Sequence, residues 1–311
     1  MIPDVTRAEL VAALGRAIQF DVPTSRLTSL RVGGIADALA TPPDRAALAR
    51  VLRICRRRRI PTRVIGRGFN TIVRDEGVDG VLIQLAALKK LEERPGKLLR
   101  VEAGVSHATL TRFCRERGLA GLEFGVGIPG TLGGWIAMNA GIGTREAKDI
   151  VRELEVMSPA GKKLRHFTRD ALRFRYRALI GLAEGSVVVS ALLAVEIGDR
   201  KRVEEESERL LARRRETQPV DQPSCGSVFK NPRGHFAGQL IEAAGLKGES
   251  RGGAMISPLH ANFIVNVGGA SASDVLALIA HARAFVRLKT GIALEPEVKV
   301  WGRSAPEERA G

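Results

Sequence analysis

The run Gly127-Ile128-Pro129-Gly130-Thr131-Leu132-Gly133-Gly134-Trp135-Ile136-Ala137-Met138-Asn139-Ala140-Gly141 decides how the rest of the chain is read. It sits inside residues 124–144, 21 positions without a charge, which is long enough to cross a bilayer as a helix. Seven glycines and Pro129 fall in those positions. A helical Gly costs about 1 kcal/mol and a helical Pro about 3, so a spanning helix is a poor reading and no membrane partner is expected. A backbone lying bare against a ligand explains the stretch better, because glycine brings N–H groups close to a phosphate with no Cβ in the way.

Two further clusters precede it, Arg31-Val32-Gly33-Gly34 and Gly66-Arg67-Gly68-Phe69-Asn70-Thr71. Taken singly, each reads as an ordinary tight turn. None matches G-x-G-x-x-G after a strand, nor G-x-x-x-x-G-K-[ST], which disfavours a Rossmann domain and a nucleotide triphosphatase. Converging, they could hold a pyrophosphate.

The chain has 311 residues, 44% of them hydrophobic, enough for one large core or two to three smaller ones, so a multidomain protein is expected. Its N-terminus has no apolar run of export-signal length, and Cys55, Cys114 and Cys225 are isolated, so a cytoplasmic protein with reduced thiols is expected. The five histidines form no metal-binding pair, and no metal is expected. A net charge of +15 is also the footprint of a nucleic-acid binder. The densest cationic run, residues 56–59, closes a segment in which Leu48, Val51, Leu52 and Cys55 keep helical spacing, and cations suit the last turn of a helix. With one tyrosine and 4% aromatics there are few surfaces for stacking bases, so no nucleic acid is expected.

Residues 1–27 read as a helical lead-in. From there to 198, strands at 63–65, 81–85, 99–102, 153–157 and 186–197 alternate with helices, the first at 43–58. A charged helix and linker fill 199–223, with Glu204 to Glu206 early, Arg213 to Arg215 late, and two prolines marking a boundary at 218–223. A smaller α+β domain follows at 224–303. It contains a short helix at 236–244, a strand at 262–267, a helix opened by Ser271 and Asp274 and stopped by Gly291, and a closing strand at 297–301. A tail takes 304–311.

In their order, the glycine clusters resemble the FAD domain of the UDP-N-acetylenolpyruvoylglucosamine reductase (MurB) family, whose Arg-x-Gly-Gly turn, G-x-G-S-N loop and G-I-P-G-T-x-G-G-x-x-x-M-N-A-G stretch they match. Phe69 replaces the usual serine, and Trp135 fills a usually small position. The resemblance implies an α+β fold: a two-lobed FAD-binding domain of the vanillyl-alcohol-oxidase type at 28–198, plus the smaller substrate-binding domain. It implies FAD contacts from Arg31, Gly33, Gly66, Gly68, Phe69, Asn70, Thr71, Gly127, Ile128, Pro129, Gly130, Thr131, Gly133, Gly134, Asn139, Ala140 and Gly141. It also implies NADPH as electron donor, UDP-N-acetylglucosamine enolpyruvate as substrate, and a chain acting as a monomer.

Ser224-Cys225-Gly226-Ser227-Val228-Phe229-Lys230-Asn231-Pro232 is similar to the family's G-S-x-F-K-N-P segment, with Ser227 at the proton donor. A lone Ser beside Gly is otherwise a turn residue. Phe174-Arg175-Tyr176-Arg177 is similar to its F-G-Y-R segment, with Arg175 in place of glycine, Leu179 in place of a later serine, and Arg177 at the catalytic arginine. Leu294-Glu295-Pro296-Glu297-Val298 is similar to its closing strand, where Glu297 is the catalytic position; by spacing alone Glu295 competes, being two residues away and able to share a strand face. Tyr176, Lys230, Asn231 and Asn262 are implied substrate contacts. Within that likeness Arg177 holds the developing enediolate, Ser227 protonates the adjacent carbon, and Glu297 assists. Two rivals remain: another FAD-dependent oxidase or dehydrogenase of this fold, and a basic nucleic-acid-binding protein.

Overall fold

The computed structural model describes residues 1–303; the tail expected at 304–311 lies outside them. The described residues form two compact units, one from 1–20, 38–66 and 80–213, the other from 21–37, 67–79 and 214–303. Among the described residues no helix is long and apolar enough to cross a membrane.

The first unit has two cores. One gathers Leu10 of helix α1 (Asp4–Leu14) and Leu48, Val51, Leu52 and Cys55 of helix α2 (Arg45–Arg58) against Val81, Ile83, Val187 and Val189. The expected helix forms because Asp44 caps it, its carboxylate accepting the Ala47 N–H at 2.7 Å, and because its apolar residues fall on one side. Its last-turn cations divide. Arg57 and Arg58 pair with Glu9 of α1, and those hydrogen bonds, Arg58's first, bring the Glu9 carboxyl down to about 2. The strand Thr62–Val64 runs parallel to Val78–Ile83, with Thr62 opposite Val81 and Val64 opposite Ile83.

The second core lies between a five-stranded antiparallel sheet and helices α3 (His107–Glu116) and α4 (Leu132–Ala137). Val151–Met157 and Val187–Ala194 are central strands, with Leu98–Glu102 beside the latter. Ser106 caps α3, its hydroxyl accepting the Thr109 N–H at 3.1 Å. One cross-strand row is polar, with His166 opposite Glu155, Glu155 opposite Ser190, and Ser190 opposite Glu102. Arg45 reaches Glu155 at 2.8 Å, and Arg100 reaches Glu153 at 2.9 Å.

Burial alone would raise the carboxyls of Glu153 and Glu155. Hydrogen bonds from Arg100 and His166 to Glu153, and from Ser190 and Arg45 to Glu155, outweigh it, and both lie below the ordinary value of 4.5. A carboxyl depressed by folding stabilises the native state above its unfolded value, and that contribution is lost as pH falls through the folded one. Wild-type stability in urea will therefore decline as pH drops below about 4.5. Glu155→Gln, which cannot titrate, will be less stable at pH 7 but decline more shallowly; equal slopes for the two proteins would remove this row from the acid response.

The charged helix expected within 199–223 is α6 (Arg200–Thr217). The second unit buries Val275, Leu278, Ile279, Ala282 and Val286 of helix α8 (Ala272–Thr290) against Ile256, Ile264 and Ala237, the last at the start of helix α7 (Ala237–Ala243). The capping box is in place, Ser271 Oγ accepting the Asp274 N–H at 3.0 Å and Asp274 accepting the Ser271 N–H at 2.9 Å, and Gly291 ends the helix at φ 75°. Strands Ser224–Ser227, Phe263–Asn266, Ala254–Ile256 and Ser250–Arg251 form an antiparallel sheet in that order.

Two features differ from the sequence expectation. Residues 1–27 are not only helical: Ile18–Pro23 is a strand, its alternation of Ile18, Phe20 and Val22 with polar residues having been the signal. The strand expected at 297–301 to close the smaller domain is shorter, Lys299–Trp301, and runs parallel to Thr71–Val73 of the same unit. The early segments of this unit are held by long-range bonds. Ser29 Oγ donates to Ser224 O at 2.6 Å, Asn266 Nδ2 to Leu30 O at 3.0 Å, and Asp75 accepts the Ala272 and Ser273 N–H groups at 2.8 Å. Arg303 pairs with Asp37 at 2.9 Å and Asp79 at 2.7 Å.

Candidate active site

In the first unit the glycine stretch forms a loop leading into α4. Its scaffold bonds use the N–H groups of Ile128, Leu132, Gly133 and Trp135, which donate to Gly125, Val105, Ala103 and Thr131 carbonyls, while Gly130 O accepts from His107 N at 3.1 Å. The N–H groups of Gly130, Thr131 and Gly134 stand outside this set. Gly130 has φ 110°, and a Cβ there would meet nothing within 4 Å, so any side chain would project from the loop rather than into the fold. A Cβ at Gly66 would come 3.1 Å from Thr131 Oγ1, which puts the second cluster's first glycine against this loop. Bare backbone with leftover donors fits an anionic group such as a pyrophosphate.

Trp135 does not enter this surface. Its ring is 4% exposed and packs edge-on to His107 at 4.4 Å, with Phe124 at 5.7 Å. Gly125 makes room: a Cβ there would lie 2.6 Å from the His107 ring and 3.2 Å from the Trp135 ring. A large residue is accommodated by the core behind the loop.

Arg177 holds a left-handed backbone, φ 57°, unusual for a non-glycine residue. Its guanidinium lies 3.7 Å from a Glu146 oxygen, 3.5 Å from Gly141 O, and 4.6 Å from the Tyr176 ring centroid. Asn139, fully buried, braces the group: its amide donates to Glu146 at 2.9 Å and Arg175 O at 3.0 Å and accepts the Lys148 N–H at 3.0 Å. The side chain of Asn139, expected on the cofactor, is thus engaged within the protein. Glu146 was missed by sequence reasoning. Its spacing to Asp149, the two forming a capping box at the start of helix α5 (Ala147–Ile150), was the available signal.

In the second unit Ser227 ends the strand Ser224–Ser227, opposite Phe263. Asn262 lies on one side of the segment that follows, accepting the Phe229 N–H at 2.9 Å and donating to Phe229 O at 2.8 Å. Both functional ends of this buried amide meet backbone, so Asn262, expected on the substrate, fixes the course of the chain after Ser227. The 294–298 segment lies on the other side, Glu297 N donating to Val228 O at 2.7 Å and Lys230 N to Glu295 O at 2.9 Å. Glu295 is exposed and its carboxylate pairs with Lys230, whereas Glu297 is half-buried. Asn70 Nδ2 donates to Glu297 O at 3.2 Å, and Phe69 O would lie 3.6 Å from a Cβ on Gly226. Ser227, Glu297, Phe69 and Asn70 are thereby brought together.

Cys225 is no rival nucleophile, since burial pushes its thiol up to about 12 and the Glu297 charge adds to the effect. Asn231 accepts the Ala237 N–H at 3.0 Å, at the start of α7. Arg31 is exposed with φ 60°, and Thr71 is buried in its strand. Gly33 and Gly68 are required by packing, since a Cβ would lie 2.5 Å from Thr24 Oγ1 and 2.2 Å from Leu27 O, respectively. Arg177, Tyr176 and the 127–141 loop belong to the first unit, the Ser227 group to the second. Among the described residues no cluster could hold a metal ion.

Comparison with known proteins bears on both units. Residues 36–166 match an FAD binding domain family, and residues 218–301 match the C-terminal domain of UDP-N-acetylenolpyruvoylglucosamine reductase. The UDP-N-acetylenolpyruvoylglucosamine reductase of Anaeromyxobacter dehalogenans (strain 2CP-C) is 45% identical over 291 residues, 94% of this chain and 88% of that protein. That of Geotalea uraniireducens (strain Rf4) is 41% identical over 96% of this chain and 99% of that protein. The crystal structure of UDP-N-acetylenolpyruvylglucosamine reductase (MurB) from Thermus caldophilus superposes with a TM-score of 0.78 at 35% identity, covering 90% of this chain and 97% of that one.

Proposed function

Because this chain belongs to the UDP-N-acetylenolpyruvoylglucosamine reductase family, we propose that Arg177, Ser227 and Glu297 do its chemistry on the enolpyruvyl group, with NADPH as the electron source. The chain is an FAD-dependent oxidoreductase of peptidoglycan precursor synthesis that reduces UDP-N-acetylenolpyruvoylglucosamine, and the expected fold, an FAD-binding α+β domain with a smaller α+β domain, is the one found. Neither rival reading has an observation in its favour.

Bound here, FAD would supply hydride-transfer chemistry between the nicotinamide donor and the substrate double bond. The residues present fit it. The Gly130, Thr131 and Gly134 N–H groups would hold its pyrophosphate, with Ile128, Pro129 and Ala140 alongside, and the Gly66 to Thr71 cluster would contribute backbone. The single observation that carries the assignment is the bare backbone at Gly130, where a Cβ would meet nothing within 4 Å, in a loop anchored to its scaffold through the Ile128, Leu132, Gly133 and Trp135 N–H groups.

Reduction of an enolpyruvyl ether at its terminal carbon leaves negative charge on the carboxylate and a carbanionic centre beside it. Arg177 would hold that charge through charge-assisted hydrogen bonds; Glu146 fixes the guanidinium and Asn139 braces Glu146. Ser227 would donate its proton to the adjacent carbon, its position set by the Asn262 clamp on Phe229. Glu297 suits the third role better than Glu295, whose carboxylate is exposed and paired with Lys230. Tyr176, Lys230 and Asn231 would meet the substrate, while Asn262 and Asn139 act as positioning residues. A cytoplasmic location fits three buried cysteines outside any disulfide among the described residues.

The purified protein will be yellow; NADPH will bleach it without oxygen, and the enolpyruvyl sugar nucleotide will restore the colour. A colourless protein, or a bleached one reoxidised by oxygen but not by that substrate, would defeat the proposal.

A further inference from the structure

A cluster of cations lies outside this site, at the hairpin joining Val151–Met157 to Leu164–Thr168. The turn is tied to itself by Gly161 N to Ser158 O at 2.8 Å, and by the Lys162 and Lys163 N–H groups to Ser158 Oγ at 3.2 and 3.0 Å. It is also pressed against α2. Gly161 is buried with φ 63°, and a Cβ there would lie 2.4 Å from Ala49 O, so only glycine permits this approach. The docked turn and the end of α2 line an open cavity of about 410 Å³. That is within the roughly 300–1,000 Å³ typical of small-molecule sites.

The cavity lining is one-sided in chemistry. Arg56 comes from α2 and Lys162, Lys163 and Arg165 from the hairpin, against the single carboxylate of Glu184. None of the four cations is in an ion pair among the described residues, although Arg57 and Arg58 next to Arg56 are both paired with Glu9. The Ser158 hydroxyl accepts two backbone N–H groups, which occupy its lone pairs and leave its own O–H to donate. The remaining lining is Pro159 and Ala160, with no polar side-chain atom. Apart from Glu184, every polar side chain facing the cavity is a donor or a cation.

We propose that this cavity binds a small molecule carrying an oligophosphate chain. A solvated basic face explains cations scattered along one helix, but here two segments far apart in sequence, α2 and the hairpin, deliver them to one concavity, with a glycine required to dock the turn. A monoanion would leave most of the four cations unanswered. Several linked phosphoryl groups supply enough charges and acceptors at the right scale, and guanidinium and ammonium groups are the usual partners of phosphate.

The test uses the FAD-loaded enzyme and inorganic tripolyphosphate, titrated calorimetrically at low and at physiological ionic strength. Wild type will bind one equivalent, more tightly at low salt, since exposed charges are screened. Lys163→Ala/Arg165→Ala will bind about tenfold more weakly, the loss of two partly exposed charge contacts. Arg56→Gln, on another element, will also weaken binding, and Glu184→Gln will tighten it. KM for NADPH and for the enolpyruvyl substrate will stay at wild-type values in all of them, which separates this cavity from the active site. Adenosine diphosphate binding more tightly than pyrophosphate, with the same dependence on Lys163 and Arg165, would identify the ligand as a nucleotide; equal binding would identify a free oligophosphate. Absence of binding at low salt, or unchanged binding by the double variant, overturns the proposal.

Discussion

Ser227→Ala will fold, bind FAD and be bleached by NADPH at the wild-type rate, yet reduce the enolpyruvyl substrate about 10²- to 10⁴-fold more slowly, the usual contribution of a positioned general acid. Stopped-flow absorbance separates the two half-reactions. The selectivity follows from placement. Ser227 ends a strand whose neighbours are fixed without its hydroxyl, through Val228 N to Asn262 O at 2.8 Å and the two Asn262 bonds to Phe229. Removing one oxygen therefore leaves the segment intact. An undiminished second half-reaction would take Ser227 out of the mechanism, and a loss of both would point to a misfolded strand instead.

Arg177→Met will lower the same half-reaction by about 10²- to 10³-fold, the range for losing a principal charge-stabilising donor. The substitution keeps most of the side-chain length but removes the guanidinium that lies 3.7 Å from Glu146. Glu146 retains Lys148 at 2.6 Å and the Asn139 amide, so the loss of its third partner should not unfold the unit. Arg177→Lys will recover only part of the rate, because an ammonium cannot reproduce the paired geometry of the fork. Full recovery by lysine would reduce the role to a point charge. FAD content of all three proteins, read from the absorbance ratio, should match, since the guanidinium does not touch the glycine loop's donors.

Much of this was legible in the chain. Helix α2 was readable because Leu48, Val51, Leu52 and Cys55 keep a helical period, and α8 because Ser271, Asp274 and Gly291 encode its caps locally. The strand Ile18–Pro23 was legible in principle but shorter than the helical lead-in it follows. The closing strand was readable as a strand; its partner was not. Lys299 lies opposite Thr71, and nothing in either segment names the other.

At the candidate site the same division holds. The order of glycine clusters and the Ser227 and Arg177 segments carried the family likeness, because a bare backbone and a guanidinium are properties of residue types. The work of the two asparagines was hidden. Asn139 and Asn262 are buried amides whose partners, Glu146 and the Phe229 backbone, are set by how distant or differently shaped segments approach. Spacing could not choose between Glu295 and Glu297, since both can lie on one strand face; the tertiary contact of Glu295 with Lys230 separates their environments.

The sequence by itself determined the family, the chemistry of its candidate residues and most local elements, because caps, periodicity and glycine content act over a few residues. Only the tertiary structure decided that segments 21–37 and 67–79 join the C-terminal unit, that Trp135 fills a core, and that Arg56 turns to a basic cavity while Arg57 and Arg58 turn to Glu9. Those outcomes depend on long-range packing and hydrogen bonding, where the partner of a residue is fixed by the path of the whole chain.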